Sequence, residues 1–425
     1  MMNGLTKHQE EKFDEVVELV SSKERRILLM GNAGVGKTWL LNVIVDHFTK
    51  DTYPNKILCS APTHKALRVI RDKVSVKGIK FSTIHSALHY KGITDRYTGE
   101  KVFVSVPNMD YPPLKGIKYW IIDESSMIDT MMLGTIEEWA NTQGVIVIFV
   151  GDEKQINPVG EDDSPIFHQG YPEVELTEII RQGAGNPIIK LSRNLPFITT
   201  KVNSYSVSDT GEPILGFVHT QNMAKVIEKL AEVNGTDEFK YLAWTNKEVD
   251  KVNAQVRHRI YGETPAKIEL GETIVMNSPY GDYTTNEEIK VEELHRTSVT
   301  IDVILESSFR KVITETATFN IFKINDDIMV LDDSSIPLFK RLAAMMGRNC
   351  REKKLDFKTR NTFLDTFADF KYNHALTIHK SQGSTYETTV LNVGDINFNR
   401  NLKEKQRLLY TGVTRASKLL ILYNV

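Results

Sequence analysis

The 425-residue chain has little cysteine: Cys59 and Cys350 are the only two. Two thiols cannot build a four-cysteine zinc or iron–sulfur site, nor a disulfide framework. Cys59 follows Ile57-Leu58 and reads as a buried strand residue, so a reducing, cytoplasmic setting is expected. Long apolar runs are also missing. The longest, Val145 to Val150, is strand-length, far short of the ~18 residues a membrane span needs. Met1 to Glu11 lacks the apolar stretch of a secretory signal, so neither export nor a membrane partner is expected. Charge of one sign is absent as well: 53 Lys+Arg face 55 Asp+Glu, a formal net charge of −2. That excludes a uniformly cationic nucleic-acid coat and leaves room for a local basic groove.

The length allows two to four domains. Short apolar runs alternate with helical patterns over the first ~190 residues. Arg26–Met30, Lys56–Cys59, Tyr119–Ile122 and Val145–Val150 read as buried strands, with helices over Thr38–Thr49 and Lys65–Lys73 between them. This alternation predicts an α/β fold, a parallel sheet with helices on both faces. From His89 to Lys115 the rhythm breaks. A turn at Tyr97–Glu100 and an alternating Val102–Val106 predict a β-hairpin. A second α/β pattern contains the strand Tyr241–Trp244 and the helix Lys247–Tyr261, and resumes near His374. Between them, Thr300–Ile304 and Phe319–Ile324 alternate with period 2, as antiparallel strands do. A basic helical stretch, Lys340 to Arg360, follows. It either touches DNA or is a solvated face. The domains expected are 1–190 with a hairpin insertion at 89–116, then 191–261 with 372–425, and an inserted β-rich module at 262–371.

Gly31-Asn32-Ala33-Gly34-Val35-Gly36-Lys37-Thr38 is a complete phosphate-binding loop between a strand and a helix. Its glycines let backbone amides and the helix amino terminus face phosphates. Lys37 supplies charge to the β/γ-phosphates and the Thr38 hydroxyl ligates Mg²⁺. Asp123-Glu124 closes a strand, where ligands gather in an open α/β sheet. One carboxylate, Asp123, can hold Mg²⁺ while Glu124 orients the attacking water. Gln155, after Gly151-Asp152, could sense a γ-phosphate.

Taken together these segments resemble the motifs of superfamily 1 helicases. Lys37, Asp123-Glu124-Ser125-Ser126 and Gly151-Asp152-x-x-Gln155 look like motifs I, II and III. Leu5-Thr6-x-x-Gln9 resembles the adenine-reading Q motif. Ala61-Pro62-Thr63-His64-Lys65-Ala66 and Ser82-Thr83-Ile84-His85 look like motifs Ia and Ib, and Leu176 to Gln182 like motif IV. Thr377-Ile378-His379-Lys380-Ser381-Gln382-Gly383 and Tyr410 to Ala416 look like motifs V and VI. The form of motif V resembles the RecD-like, 5′→3′ branch, and the layout is similar to its Dda-like group.

The resemblance implies two RecA-like P-loop NTPase domains, an SH3-like barrel for the insert and a strand-separating pin for the hairpin. It implies an ATP- and Mg²⁺-dependent DNA helicase whose closing cleft brings Arg181 and Arg415 to the γ-phosphate. Single-stranded DNA would lie across both domains on Pro62, Thr63, His64, Thr83, His85, Thr245, Asn246, Thr377, His379 and Lys380. Hydroxyl, imidazole and ammonium groups suit such sequence-blind gripping. Trp244 could stack on a base or fill the core. The implied partners are single-stranded DNA and its junctions with duplex, with a single-strand-binding protein or replisome components, and a monomer is expected. Two rivals remain: an ATPase switched on single strands without unwinding, and an RNA helicase of the same superfamily.

Overall fold

The computed structural model describes residues 4–94, 101–105, 110–158, 160–179, 185–195, 198, 202–208, 211, 213–308 and 311–425. They fall into two compact units. One comprises Met1–Tyr90, Ser105–Val252 and Ala375–Val425; the other Lys91–Val104 and Asn253–His374.

The larger unit holds two α/β lobes, each with its own sheet. In the first lobe β1 (Arg26–Gly31), β2 (Ile57–Ala61), β3 (Lys80–Thr83), β6 (Tyr119–Ile122), β7 (Ile146–Gly151) and β8 (Glu173–Leu176) run in the order β3-β2-β6-β7-β1-β8. Every pairing is parallel, with Leu28 opposite Phe149. β2, β6 and β7 are buried along their whole length, as strands covered on both faces must be. α1 (Lys7–Ser21), α2 (Lys37–Phe48) and α3 (His64–Lys73) bring Phe13, Leu40, Phe48 and Ile70 to one core. α5 (Thr130–Gln143) brings Leu133 and Ile136 to the core that also holds Trp120 and Phe149. The indole N–H of Trp120, fully buried, donates to Ser60 Oγ at 2.8 Å. A buried indole needs such an acceptor.

The second lobe is built on β9 (Ser204–Val207), β10 (Pro213–Thr220), β11 (Phe239–Ala243), β18 (Ala375–Thr377), β19 (Tyr386–Asn392) and β20 (Ala416–Tyr423), ordered β18-β11-β19-β20-β10-β9. All neighbours are parallel except the edge strand β9. Trp244 lies just past β11, half-buried against this lobe's core of Leu242, Leu391 and Leu420. Between its two readings, this packing favours the core.

The smaller unit contains two three-stranded antiparallel sheets. One orders β12 (Thr273–Met276), β13 (Glu288–Lys290) and β17 (Phe370–Tyr372) as β13-β12-β17; the other orders β14 (Leu294–Ser308), β15 (Lys311–Ile324) and β16 (Ile328–Leu331) as β14-β15-β16. β14 and β15 are 15 and 14 residues long, a ribbon of roughly 45–50 Å at ~3.3 Å per residue. The alternation at 300–304 and 319–324 marks only the middle and the end of these strands. The helices Ile336–Arg351 and Phe357–Leu364 pack Leu342, Met346 and Phe363 against Phe319. Along the basic stretch Arg341 pairs with Glu315 and Lys354 with Glu352, while Arg348, Arg351, Lys353 and Lys358 are exposed. Arg257 meets the fully buried Glu272 at 2.6 Å and stacks 4.1 Å over Tyr372, an ion pair within the smaller unit.

The strands β4 (Tyr90–Thr94) and β5 (Lys101–Ser105) pair as a two-stranded sheet. The turn at Tyr97–Glu100 and Val106 lie outside the described residues, as does Arg181.

Candidate nucleotide-binding site

β1 delivers the phosphate loop and α2 leaves it. Gly36, at φ 80°, starts α2 with no side-chain cap. The first amides of that helix are therefore left to a ligand. Gly34 also has positive φ, and a Cβ there would meet Ile189 Cδ1 at 2.8 Å. A Cβ on Gly31 would meet Val35 at 2.7 Å. Lys37 Nζ folds back on the Gly31 carbonyl at 2.5 Å and the Asn32 carbonyl at 3.3 Å, with Asp152 Oδ2 at 4.0 Å. Thr38 follows on α2, half-buried.

Gln9 was expected to read adenine. Its Oε1 accepts from Thr6 N at 3.1 Å in a capping box, and its Nε2 donates to the Val35 carbonyl at 3.2 Å. Gln9 thereby braces the loop and still has one hydrogen and one lone pair for a base edge.

Asp123 and Glu124 end β6 beside the loop. The Asp123 amide bonds the Ser60 carbonyl at 2.9 Å, and Asp123 Oδ1 accepts from Glu124 N at 2.9 Å. Glu124 has φ 52°, a left-handed conformation costly for a side-chain-bearing residue. Burial raises the pKa of both carboxyls. Asp123 pushes Glu124 further up, while Arg415 and Lys37 draw it back. A carboxyl raised this way can take a proton from water.

After β7, Asp152 and Gln155 turn inward, 1% and 5% exposed. Gln155 Oε1 is buried without a partner. With the uncapped α2 and the small loop residues, this orphan acceptor fits a site built for a polar ligand.

Arg415 comes from the second lobe, immediately before β20, and is 6% exposed. Its guanidinium donates to the carbonyls of Thr411 at 3.1 Å, Ser384 at 3.1 Å and Ser381 at 3.4 Å. Its charge still acts on Glu124 across the lobes. Tyr410 and Thr411, from the helix Leu402–Val413, reach the first lobe directly. The Tyr410 hydroxyl donates to Asp152 Oδ2 at 2.6 Å and accepts from Ala33 N at 2.9 Å. Thr411 Oγ1 accepts from Ile156 N at 3.2 Å, and Gln382 Nε2 donates to the Ile156 carbonyl at 3.1 Å. Asp152, Tyr410, Thr411 and Gln382 were not among the expected site residues. Each lies inside a quoted motif, which was the one available signal.

The expected strand contacts divide. His64 and Asn246 are exposed at the starts of α3 and of the helix Asn246–Tyr261, and Pro62 and Lys380 are half-buried. The threonines are used inside the fold. Thr63 Oγ1 caps α3 through Ala66 N at 3.2 Å, and Thr83 Oγ1 caps α4 (Ile84–Ala87) through Ser86 N at 3.2 Å. Thr245 Oγ1 donates to Asp395 at 2.9 Å, and Thr377 Oγ1 accepts from Lys380 N at 3.3 Å. Thr83 and Thr377 are 5% and 7% exposed. The four hydroxyls thus set helix starts and turns, and those of Thr63 and Thr377, which accept in these bonds, keep their own hydrogen to donate. Burial lowers the pKa of His85 and His379, so both imidazoles are neutral at pH 7. His379 lines a cavity of about 620 Å³ with Asp163, Lys403, Glu404 and Arg407, which is mixed in charge rather than basic.

Residues 5–196 match the family model described as AAA domain, and residues 372–423 the one described as UvrD-like helicase C-terminal domain. The chain is 27% identical over 449 residues to the ATP-dependent DNA helicase dda of Enterobacteria phage T4, covering 97% of this chain and 98% of that one. It is 24% identical over 474 residues to the RecBCD enzyme subunit RecD of Buchnera aphidicola subsp. Schizaphis graminum, covering 100% and 74%. The chain is a superfamily 1 helicase. Its fold is similar to that of a Pif1 helicase from Candida albicans, at 19% identity and a TM-score of 0.50, over all of this chain and 95% of that one. Among the described residues of this helicase, no cluster of His, Cys, Asp and Glu forms a metal site of its own, and no helix is long and apolar enough to cross a membrane.

Proposed function

We propose that this helicase hydrolyses ATP with Mg²⁺, moves 5′→3′ along single-stranded DNA as a monomer, and separates duplex at a single/double-strand junction. The observation that carries the reading is the second-lobe segment Tyr410 to Arg415 at the first lobe's phosphate loop, where the Tyr410 hydroxyl accepts from Ala33 N and donates to Asp152.

Lys37 leaves the Gly31 carbonyl for the β/γ-phosphates, and the α2 amides hold the phosphate chain. Thr38 and Asp123 would hold Mg²⁺, an ion content with few protein oxygens when phosphates supply the rest. The bound ion would neutralise charge on the phosphates. Glu124 accepts the proton of the attacking water, and Gln155 can accept a second hydrogen bond from that water at its unpartnered Oε1. Arg415, with Arg181, supplies the positive charge that appears only when the lobes meet. Such an arginine is typically worth ~10³–10⁵ in rate.

Translocation follows if the lobes part after hydrolysis and grip the strand alternately. Pro62, His64, Asn246 and Lys380 line the proposed track, with the amides at the starts set by Thr63, Thr83, Thr245 and Thr377. The hairpin of β4 and β5 serves as the pin that splits the duplex, and the insert as an SH3-like module beside it. A single-strand-binding protein or replisome components would hand over the DNA. The likeness to the T4 phage protein, which is named as a DNA helicase, supports DNA over RNA.

Strand displacement on matched duplexes with a 5′ or a 3′ single-stranded tail tests the reading. Unwinding of the 5′-tailed substrate alone is expected. Unwinding from the 3′ tail alone overturns the polarity. DNA-stimulated hydrolysis with no displacement from either tail makes the chain a switched ATPase.

A further inference from the structure

The phosphate loop is touched by a residue that the motif-based roles leave idle. Tyr410 is 2% exposed, and its hydroxyl is fully engaged. It accepts the Ala33 amide hydrogen at 2.9 Å and donates to Asp152 Oδ2 at 2.6 Å. That same carboxylate oxygen stands 4.0 Å from Lys37 Nζ. The phenol thus closes a ring with a loop amide, the loop lysine and the acid that follows β7. Burial and Asp152 raise its pKa, so the hydroxyl keeps its proton at any working pH.

The next residue extends the contact. Thr411 Oγ1 accepts from Ile156 N at 3.2 Å, and the Thr411 carbonyl accepts from Arg415 Nε at 3.1 Å. Tyr410 and Arg415 are therefore linked through one hydrogen-bonded turn.

We propose that Tyr410 is a positioning residue, whose hydroxyl reports the state of the phosphate loop to Arg415. The Ala33 amide has one hydrogen. A phosphate oxygen that takes it must displace Tyr410, and the displaced hydroxyl keeps Asp152 or turns to the phosphate. Either change moves Thr411 and carries Arg415 with it. The binding of ATP in the first lobe is thereby read by the second. This inference rests on the loop being the ATP site.

Tyr410→Phe removes the oxygen and keeps the ring. Lys37 and the loop amides still bind nucleotide, so KM for ATP should stay within about threefold, whereas kcat with saturating single-stranded DNA should fall about tenfold. The melting temperature should change little. Unchanged kcat overturns the proposal, as does a fall in kcat matched by an equal rise in KM and a lowered melting temperature, the mark of a merely structural role. Asp152→Asn provides the second arm. If the pair acts as a unit, Tyr410→Phe combined with Asp152→Asn is no slower than the slower single variant; losses that multiply contradict it. Lys37→Ala separates the two levels. If Lys37→Ala still hydrolyses ATP, the site assignment itself fails. If it is inactive while Tyr410→Phe is normal, only the positioning role falls.

Discussion

A Cβ placed on Gly383 would lie 2.7 Å from the Cβ of Ala66. Gly383 closes the Thr377–Gly383 motif of the second lobe, and Ala66 lies in the first turn of α3 of the first lobe. The backbones approach so closely that only hydrogen fits between them, and Gly383 also has φ 72°. Glycine is required there twice over, by contact and by conformation.

Gly383→Ala should therefore hold the lobes apart without unfolding either. DNA-stimulated ATP hydrolysis is expected to drop by about tenfold or more, since each ~1.4 kcal/mol of lost docking is a factor of ten. Adding Ala66→Gly should restore part of the rate by removing the contact, though not the conformational strain. Steady-state hydrolysis of the two variants checks this, and full activity in Gly383→Ala would show that the lobes need not meet there.

Lys37→Ala should abolish hydrolysis and leave single-strand affinity within a few-fold, because the proposed strand contacts do not involve the loop. Fluorescence anisotropy with a labelled oligonucleotide, beside a phosphate-release assay, separates the two effects.

Neighbouring residues should differ in their salt signature. Lys380 carries charge, whereas burial keeps His379 neutral at pH 7. For single strands the slope of log K against log salt changes by ~0.7 for each phosphate neutralised. Lys380→Ala should lower that slope by about one such step, and His379→Asn should leave it unchanged. Equal slopes in both variants would take Lys380 off the DNA track.

The same histidines set a direction for acid stability. The folded pKa of His85 and of His379 lies below the unfolded value near 6.5. Above 6.5 neither state binds the proton and nothing is lost. As pH falls through 6.5 the unfolded chain takes up protons first, so stability declines until the folded pKa values are passed. The melting temperature should drop between pH 7.5 and 5.5, and less so in a His85→Asn, His379→Asn double variant.

What the sequence revealed, and what it hid, follows from locality. The strand Tyr119–Ile122 was readable to the residue because burial on both faces demands an unbroken apolar run. The phosphate loop was readable because its function is a backbone shape that few residue types allow. The threonines were not. The capping bonds of Thr63 and Thr83 depend on where the helices α3 and α4 start, which the residue type alone does not announce. The Tyr410–Asp152 bond joins residues 258 apart, so no local pattern announces it. The full extent of β14 and β15 was hidden because their outer halves expose both faces, and period 2 fades there.

The central claim is that the chemistry awaits a guanidinium delivered by the other lobe. Single-turnover hydrolysis by Arg415→Ala, saturated with ATP and single-stranded DNA, tests it most directly. A chemical step slowed by ~10³–10⁵ with nucleotide affinity nearly unchanged is the expected result. A chemical step at the unmodified rate would contradict it.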